Sequence, residues 1–318
     1  MNIPHNLTSR EQEQDNIQIE FLVTLTLEKE SSLVKVDIEV ENKAIEHRVR
    51  VLFRTGIESV ESIADQQFGT IRRPVYLSEV ENWRENGWNE KPRTIEPMQS
   101  FVSLANDHEN VSIITDCVRE YQITGEKFDT IALTLFRSTP EMGKAELKDR
   151  PGRASGMANW ETPDAQLLKN LKFNFAIFIG KEGYSASKIS NMSKEYLTPF
   201  YYYQAAEFKN VDIFFLMNKP EIQNVPFEFS MFPSENRNCV LSTVKKAEKE
   251  DALIIRIYNP DDRKCADFYM TCNDDIEDIS LVKFDEETVM DNVEFSFDGN
   301  KIKINSVKTC QVLSIKVK

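Results

Sequence analysis

Glycine is scarce in this chain, with 10 in 318 residues, and no glycine-rich loop of the kind that cradles phosphate occurs. Histidine is scarcer. The three present, His5, His47 and His108, stand far apart, and none has the helical spacing of a metal-binding pair. The five cysteines, Cys117, Cys239, Cys265, Cys272 and Cys310, include no Cys-x-x-Cys pair, and their odd number argues against a closed disulfide framework. Most sit in apolar, strand-like runs, which predicts buried free thiols. No Gly-x-Ser-x-Gly elbow is present. Arg153-Ala154-Ser155-Gly156 comes nearest to it but lacks the strand–turn–helix setting. No apolar run approaches the roughly 20 residues of a membrane span, and Met1 to Arg10 lacks a secretory signal pattern, so the cytoplasm is the expected location. Positive charge is also in deficit. With 39 Lys and Arg against 52 Asp and Glu, the net charge of -13 disfavours nucleic acid or an anionic membrane as partner.

What is present is apolar patterning at strand period. Hydrophobic residues make up 41% of the chain, with 20 Phe, enough for one large β domain or two smaller ones. Leu33 to Glu41 sets Val34, Val36, Ile38 and Val40 on one face, as in a half-buried antiparallel strand. Ile17 to Leu27 and His47 to Phe53 alternate similarly, and the three read as a meander. Strand signals return at Val111–Cys117, Arg119–Ile123, Asp129–Phe136 and Phe173–Ile179. Thr162-Pro163 is a helix start, with a capping threonine and a proline at the first helical position. From Val211 on, short apolar runs near Ile213, Phe227, Val240, Leu253, Phe268, Leu281, Val293, Ile302 and Val312 alternate with polar turns. Repeated short strands without long helices predict an all-β fold of sandwich type. The expected organisation is a flexible arm over 1–16, a large sandwich over 17–235 and a smaller one over 236–318.

The segment Phe136 to Gly156 interrupts this pattern. Pro140, Gly143, Pro151, Gly152 and Gly156 cannot all lie in one regular element, so the segment is a long loop carrying Arg137, Arg150 and Arg153. A guanidinium on a stiff Pro-Gly turn suits a carboxylate, a phosphate or paired hydroxyls. Three solvated arginines on a surface loop are the competing reading. The acidic pairs Asp261-Asp262, Asp274-Asp275 and Glu286-Glu287 lie in polar turns and read as solvated faces rather than a glycosidase pair. Trp83, Trp88 and Trp160 lie near loops. They read as packed against the sandwich, with a sugar-stacking face as the alternative.

Several stretches, in this order, resemble the C-terminal half of glycoside hydrolase family 38, the zinc-dependent α-mannosidases, and most closely its bacterial branch. They are His47-Arg-Val-Arg-Val-Leu-Phe53, Asp65-Gln-Gln-Phe-Gly69, Phe136-Arg-Ser138, Asp149-Arg-Pro-Gly-Arg-Ala-Ser-Gly156, Thr162-Pro-Asp-Ala-Gln166 and Ala252-Leu-Ile-Ile-Arg-Ile-Tyr-Asn-Pro260. The resemblance implies a large β-sandwich of the galactose-mutarotase or supersandwich kind, a smaller β-sandwich and one or two short helices. It further implies that the zinc ligands and the nucleophilic aspartate lie in an N-terminal barrel region with no counterpart here, so no catalytic residue, metal ligand or cofactor is assigned to this chain. Arg153 matches the family arginine that reaches the substrate, with Arg150 as the fallback. Asp65 and Gln67 match a second loop at the same rim, where Ile63-Ala64 replaces an aromatic residue that eukaryotic relatives carry. The implied partners are the catalytic region, on the same enzyme or a companion chain, and a mannoside. A homo-oligomer is a further expectation, since a patch left without that region should be apolar. The chain is thus expected to be a truncated or separately expressed wall of a retaining α-mannosidase, inactive alone. A freestanding carbohydrate-binding sandwich and an inert gene remnant are the alternatives.

Overall fold

The structure, a computed structural model, describes residues 1–13, 16–145, 147–152, 159–201 and 229–318. The expected runs near Ile213 and Phe227 lie outside the described residues. Two units divide the chain, Met1–Ser193 and Lys194–Lys318, an earlier division than 235/236. Both are built from antiparallel strands, and the all-β expectation holds.

The first unit opens where a loose arm was expected. Strand β1 (Asn2–Pro4) pairs with β2 (Asn16–Gln18), and helix α1 (Leu7–Gln12) lies between them. Asn6 caps α1, its side chain accepting from the Ser9 N–H at 2.7 Å. The terminal ammonium donates to the Ile19 carbonyl at 2.7 Å. These bonds order the stretch, and they also break the run Ile17–Leu27, so that β3 begins only at Phe21.

A seven-stranded sheet follows, with order β3 (Phe21–Leu27), β4 (Leu33–Glu41), β13 (Asn170–Gly180), β10 (Asn110–Thr115), β9 (Phe101–Ala105), β6 (Glu61–Gln66) and β7 (Gly69–Pro74). It faces a four-stranded sheet ordered β5 (Arg48–Arg54), β12 (Thr130–Arg137), β11 (Arg119–Thr124) and β8 (Ile95–Met98). The alternation of β4 points Val36, Ile38 and Val40 into the layer between the sheets. They meet Phe173 and Phe175 of β13 and Ile131, Leu133 and Tyr121 from the facing sheet, and Phe53 of β5 stands edge-on to Phe175 at 5.6 Å.

The central strands are buried on both faces. Phe101, Ser103, Ser112 and Ile114 alternate with the core-facing Val102, Leu104 and Ile113, and all are buried. Helix α3 (Ala186–Leu197), preceded by Tyr184, packs on this sheet, with Lys188 over the Phe178 ring and Arg72 over the Tyr184 ring. The helix expected to start at Thr162-Pro163 is a single 3-10 turn, Pro163–Gln166.

The second unit packs one sheet, β14 (Ser234–Glu235), β17 (Ala266–Thr271), β20 (Lys301–Val307) and β19 (Phe295–Asp298), against another, β15 (Val240–Lys246), β16 (Leu253–Tyr258), β21 (Val312–Val317) and β18 (Ile279–Val282). Ile255, Ile257, Phe268, Ile304, Leu313 and Ile315 fill its core. Glu286, read as half of a solvated pair, is buried instead. It accepts from Lys245 Nζ at 2.9 Å and from the Glu248 N–H at 3.1 Å, which supplies the partners a buried carboxylate needs. The expectation of buried thiols holds for Cys239 and Cys272. Cys117, Cys265 and Cys310 are exposed, because they fall at strand ends and turns where neighbouring apolar residues do not carry them inward.

Candidate functional site

Asp65 ends the buried part of β6. Its register, Asp65 opposite Thr70 and Gln66 opposite Gly69, leaves only Gln67 and Phe68 to turn the chain into β7. So tight a hairpin needs a left-handed residue, and Phe68 supplies it at φ 57° without being glycine. A bulky residue in that conformation is strained, and the tip it holds presents Gln67 and Phe68 to solvent.

The half-buried Asp65 is oriented from inside. Its backbone carbonyl accepts from the Gln99 N–H at 3.0 Å, and its Oδ2 accepts from the Ser100 hydroxyl. Ser100 in turn accepts from the Ser193 hydroxyl at 2.7 Å, while its carbonyl takes the Thr115 N–H at 2.7 Å. Ser193 and Ser100 are both buried. Two hydroxyls from distant parts of the chain therefore point one after the other toward one carboxylate oxygen, fixing the rotamer of Asp65. Ser190, one turn earlier on α3, is buried with its Oγ lacking a hydrogen-bond partner.

Arg150 sits on a different scaffold. The base of the long loop is closed by a bridge between Glu141 and Glu161, with the Met142 N–H donating to the Trp160 carbonyl at 2.9 Å. Further out, Leu147 and Arg150 bridge each other around a turn, and the Arg150 N–H reaches the Leu147 carbonyl at 3.0 Å. This turn is fastened to residues 84–93. Asp149 pairs with Arg93, the Lys91 N–H donates to the Asp149 carbonyl at 2.8 Å, and Arg84 donates to the Lys148 carbonyl at 3.3 Å. Arg84 also stacks 5.0 Å from the ring of the buried Trp83. The Arg150 side chain is half-buried, and its Nε has no hydrogen-bond partner in the structure. Pro151 and Gly152, the latter at φ 70°, form the expected stiff turn. Arg153 lies outside the described residues.

The structure thus brings Asp65 and Gln67 together on one hairpin and gives Arg150 its own anchorage on the 84–93 loop. Trp83 is buried as expected, but Trp88 and Trp160 are 44% and 55% exposed, so the packed reading holds for one of the three. Among the described residues no group of three or more His, Cys, Asp or Glu is placed to hold a metal ion, so the zinc that the family resemblance implies finds no ligand set there. No described helix is long and apolar enough to cross a membrane. Sequence reasoning missed Ser100 and Ser193, which carry no motif.

Comparison with known proteins finds two family matches along the chain. "Glycosyl hydrolases family 38 C-terminal domain" matches residues 8–141, and "Glycosyl hydrolases family 38 C-terminal beta sandwich domain" matches residues 238–315. A protein of Halalkalibacterium halodurans named "Putative mannosylglycerate hydrolase" is 25% identical over 257 residues, covering 81% of this chain and 24% of that protein. An alpha-mannosidase from Enterococcus faecalis V583 superposes with a TM-score of 0.71 at 17% identity, over 96% of this chain and 29% of that one. A family 38 glycosyl hydrolase from Enterococcus faecalis gives a TM-score of 0.71 at 16% identity, over 100% of this chain and 34% of that one. These two share the fold. The chain spans about a quarter of the curated relative and about a third of the solved chains.

Proposed function

The chain belongs to glycosyl hydrolase family 38, whose C-terminal domains it forms, and from that premise we propose that it is the non-catalytic wall of a zinc-dependent, retaining α-mannosidase. The metal and the nucleophile belong to a catalytic region outside these residues, on the same polypeptide or on a companion. The observation that carries this reading is the order of the two family domains along the chain, 8–141 and then 238–315.

The wall acts by binding and orientation. Asp65 offers its carboxylate to sugar hydroxyls, held from behind by Ser100 and Ser193, and Gln67 adds an amide from the strained hairpin tip. Arg153, with Arg150 as its fallback, grips the far end of the substrate. A planar fork is best used on an anion. The name of the Halalkalibacterium relative concerns a mannoside carrying a carboxylate, and the charged substrate proposed here is of that class, a mannoside bearing a carboxylate or a phosphate. The buried free thiols Cys239 and Cys272 accord with a reducing compartment, and we place the protein in the cytoplasm.

The test is reconstitution with the catalytic region and zinc, using an anionic mannoside and a neutral aryl mannoside side by side. Arg153→Ala should cost about 1–3 kcal/mol in kcat/KM on the anionic substrate, the usual worth of a charged hydrogen bond, and much less on the neutral one. Equal losses on both, or no loss on either, would move the role away from Arg153.

A further inference from the structure

We propose that β3 is a self-association strand, through which two copies of this chain join antiparallel, edge to edge, into one continuous sheet. Among the described strands β3 pairs with β4 alone, so its outer edge presents a row of backbone donors and acceptors. On the face it shares with Val36 and Ile38 of β4, Val23, Leu25 and Leu27 are 52%, 66% and 66% exposed. On the other face Leu22 is 63% exposed. From Phe21 to Leu27 there is no Lys, Arg, Asp, Glu, Pro or Gly, the residues with which edge strands are normally blunted.

Three observations select a second copy as the occupant. The first is self-complementarity. With Thr24 on the two-fold axis, Phe21 stands opposite Leu27 of the second copy, Leu22 opposite Thr26 and Val23 opposite Leu25. Each face keeps its character across the junction, apolar on apolar beneath and threonine-rich above. The second is charge. Two chains of net charge -13 repel, and the seven residues of this strip carry no charge; at its two ends Glu20 meets Glu28 of the second copy, the latter already paired with Lys35 at 2.8 Å. The third is position. Between β3 and β6, the strand that ends near Asp65 and Gln67, lie β4, β13, β10 and β9, so the two are roughly 24 Å apart at about 4.8 Å per strand. A region docked at the β6 hairpin therefore need not reach β3. Joining seven residues per copy and covering these exposed side chains removes on the order of 1,000 Å² in total, the size at which specific association begins. The first two observations are independent of the activity proposed above, and the third rests on that reading, which places the rim at the β6 hairpin.

Sedimentation of the whole chain across about 1 to 100 µM should show a monomer–dimer equilibrium. Leu25→Lys, at an exposed position, should raise the dissociation constant at least about a hundredfold while leaving the melting curve unchanged at concentrations where the original chain is monomeric. The register is tested in a background with the exposed Cys117, Cys265 and Cys310 changed to Ser. There Thr24→Cys should cross-link two copies under mild oxidation by glutathione disulfide, since opposed residues in an antiparallel pair lie within disulfide reach at about 5 Å. Thr26→Cys should not, being about 14 Å from its own counterpart in this register. Dimers weakened by Leu25→Lys and cross-linked through position 24 support the proposal. A chain monomeric at the highest concentration, a dimer indifferent to Leu25→Lys, or equal cross-linking from positions 24 and 26 overturns it.

Discussion

The two edges of the seven-stranded sheet differ in how far they are protected. At one end β7 carries Arg72, Arg73 and Pro74. Arg72 pairs with Glu61 at 2.8 Å. Arg73 reaches across to the facing sheet, to Glu96 at 3.3 Å and the Pro97 carbonyl at 2.9 Å. At the other end β3 has no charge and no proline, and most of its side chains are exposed. An edge strand that is neither charged nor covered invites another strand, whereas a charged and cross-tied edge holds a fixed shape. The difference teaches where each task can sit. A substrate rim of the kind proposed above needs side chains fixed to within fractions of an ångström, and buried hydroxyls and ion pairs hold the β6–β7 side in that way. Association needs only a matching strip.

The contrast can be broken by substitution, and the largest effect is expected at Tyr121. This fully buried tyrosine contacts the β6–β7 side from the facing sheet, its hydroxyl 2.9 Å from Ser62 Oγ. Tyr121→Ala should cost about 3–5 kcal/mol in urea unfolding, whereas Leu22→Ala on β3 should stay within about 0.5 kcal/mol. If the two losses were similar, the edges would not differ in rigidity.

Ser100→Ala comes next. It removes the donor to Asp65 and strands the buried Ser193 hydroxyl, which should cost about 1–3 kcal/mol, read as a lower urea midpoint at unchanged slope. In a reconstituted enzyme the same change should reduce activity by loosening Asp65. Full activity alongside lost stability would separate Asp65 from the rim.

Smaller again is a pH effect on the β3 side, where the facing sheet ends in β5. His47, just before β5, is buried edge-on to Phe136 at 5.3 Å, with Nδ1 3.2 Å from the Ser138 hydroxyl and Nε2 without a hydrogen-bond partner. Burial holds its imidazole below the usual value of 6.5, outweighing the backbone hydrogen bond at Ile45, and Arg10 nearby acts in the same direction. The unfolded chain therefore takes up the proton first. Stability falls as pH drops through 6.5 and continues to fall until the folded imidazole itself protonates. His47→Asn should flatten the loss of melting temperature between about pH 7.5 and 5.5, and an unchanged slope would acquit His47. The smallest effect is at Arg93. Its ion pair with Asp149 is partly exposed, so Arg93→Ala should cost no more than about 1 kcal/mol while loosening the turn that carries Arg150.

Local signals foretold local structure. The alternation from Leu33 to Glu41 predicts β4 at the bounds it has, and Pro151-Gly152 predicts the turn beside Arg150. Contacts between distant residues were not legible. The hydroxyls behind Asp65 come from positions 100 and 193, and nothing in either neighbourhood marks them, because the fold alone makes them neighbours. For the same reason Ile17–Leu27 reads as one strand, although the terminal ammonium at Ile19 divides it. Exposure of β3 was equally invisible. Its alternation is that of any half-buried strand, and only the sheet order shows that nothing among the described residues continues past it.

Whether these residues are a dependent wall is tested most directly by glycoside hydrolysis. The 318-residue chain, purified and supplied with zinc, is incubated with p-nitrophenyl α-mannoside and the release of nitrophenol is followed. The account predicts release indistinguishable from the zinc blank. Sustained, zinc-dependent turnover by the chain alone would contradict it.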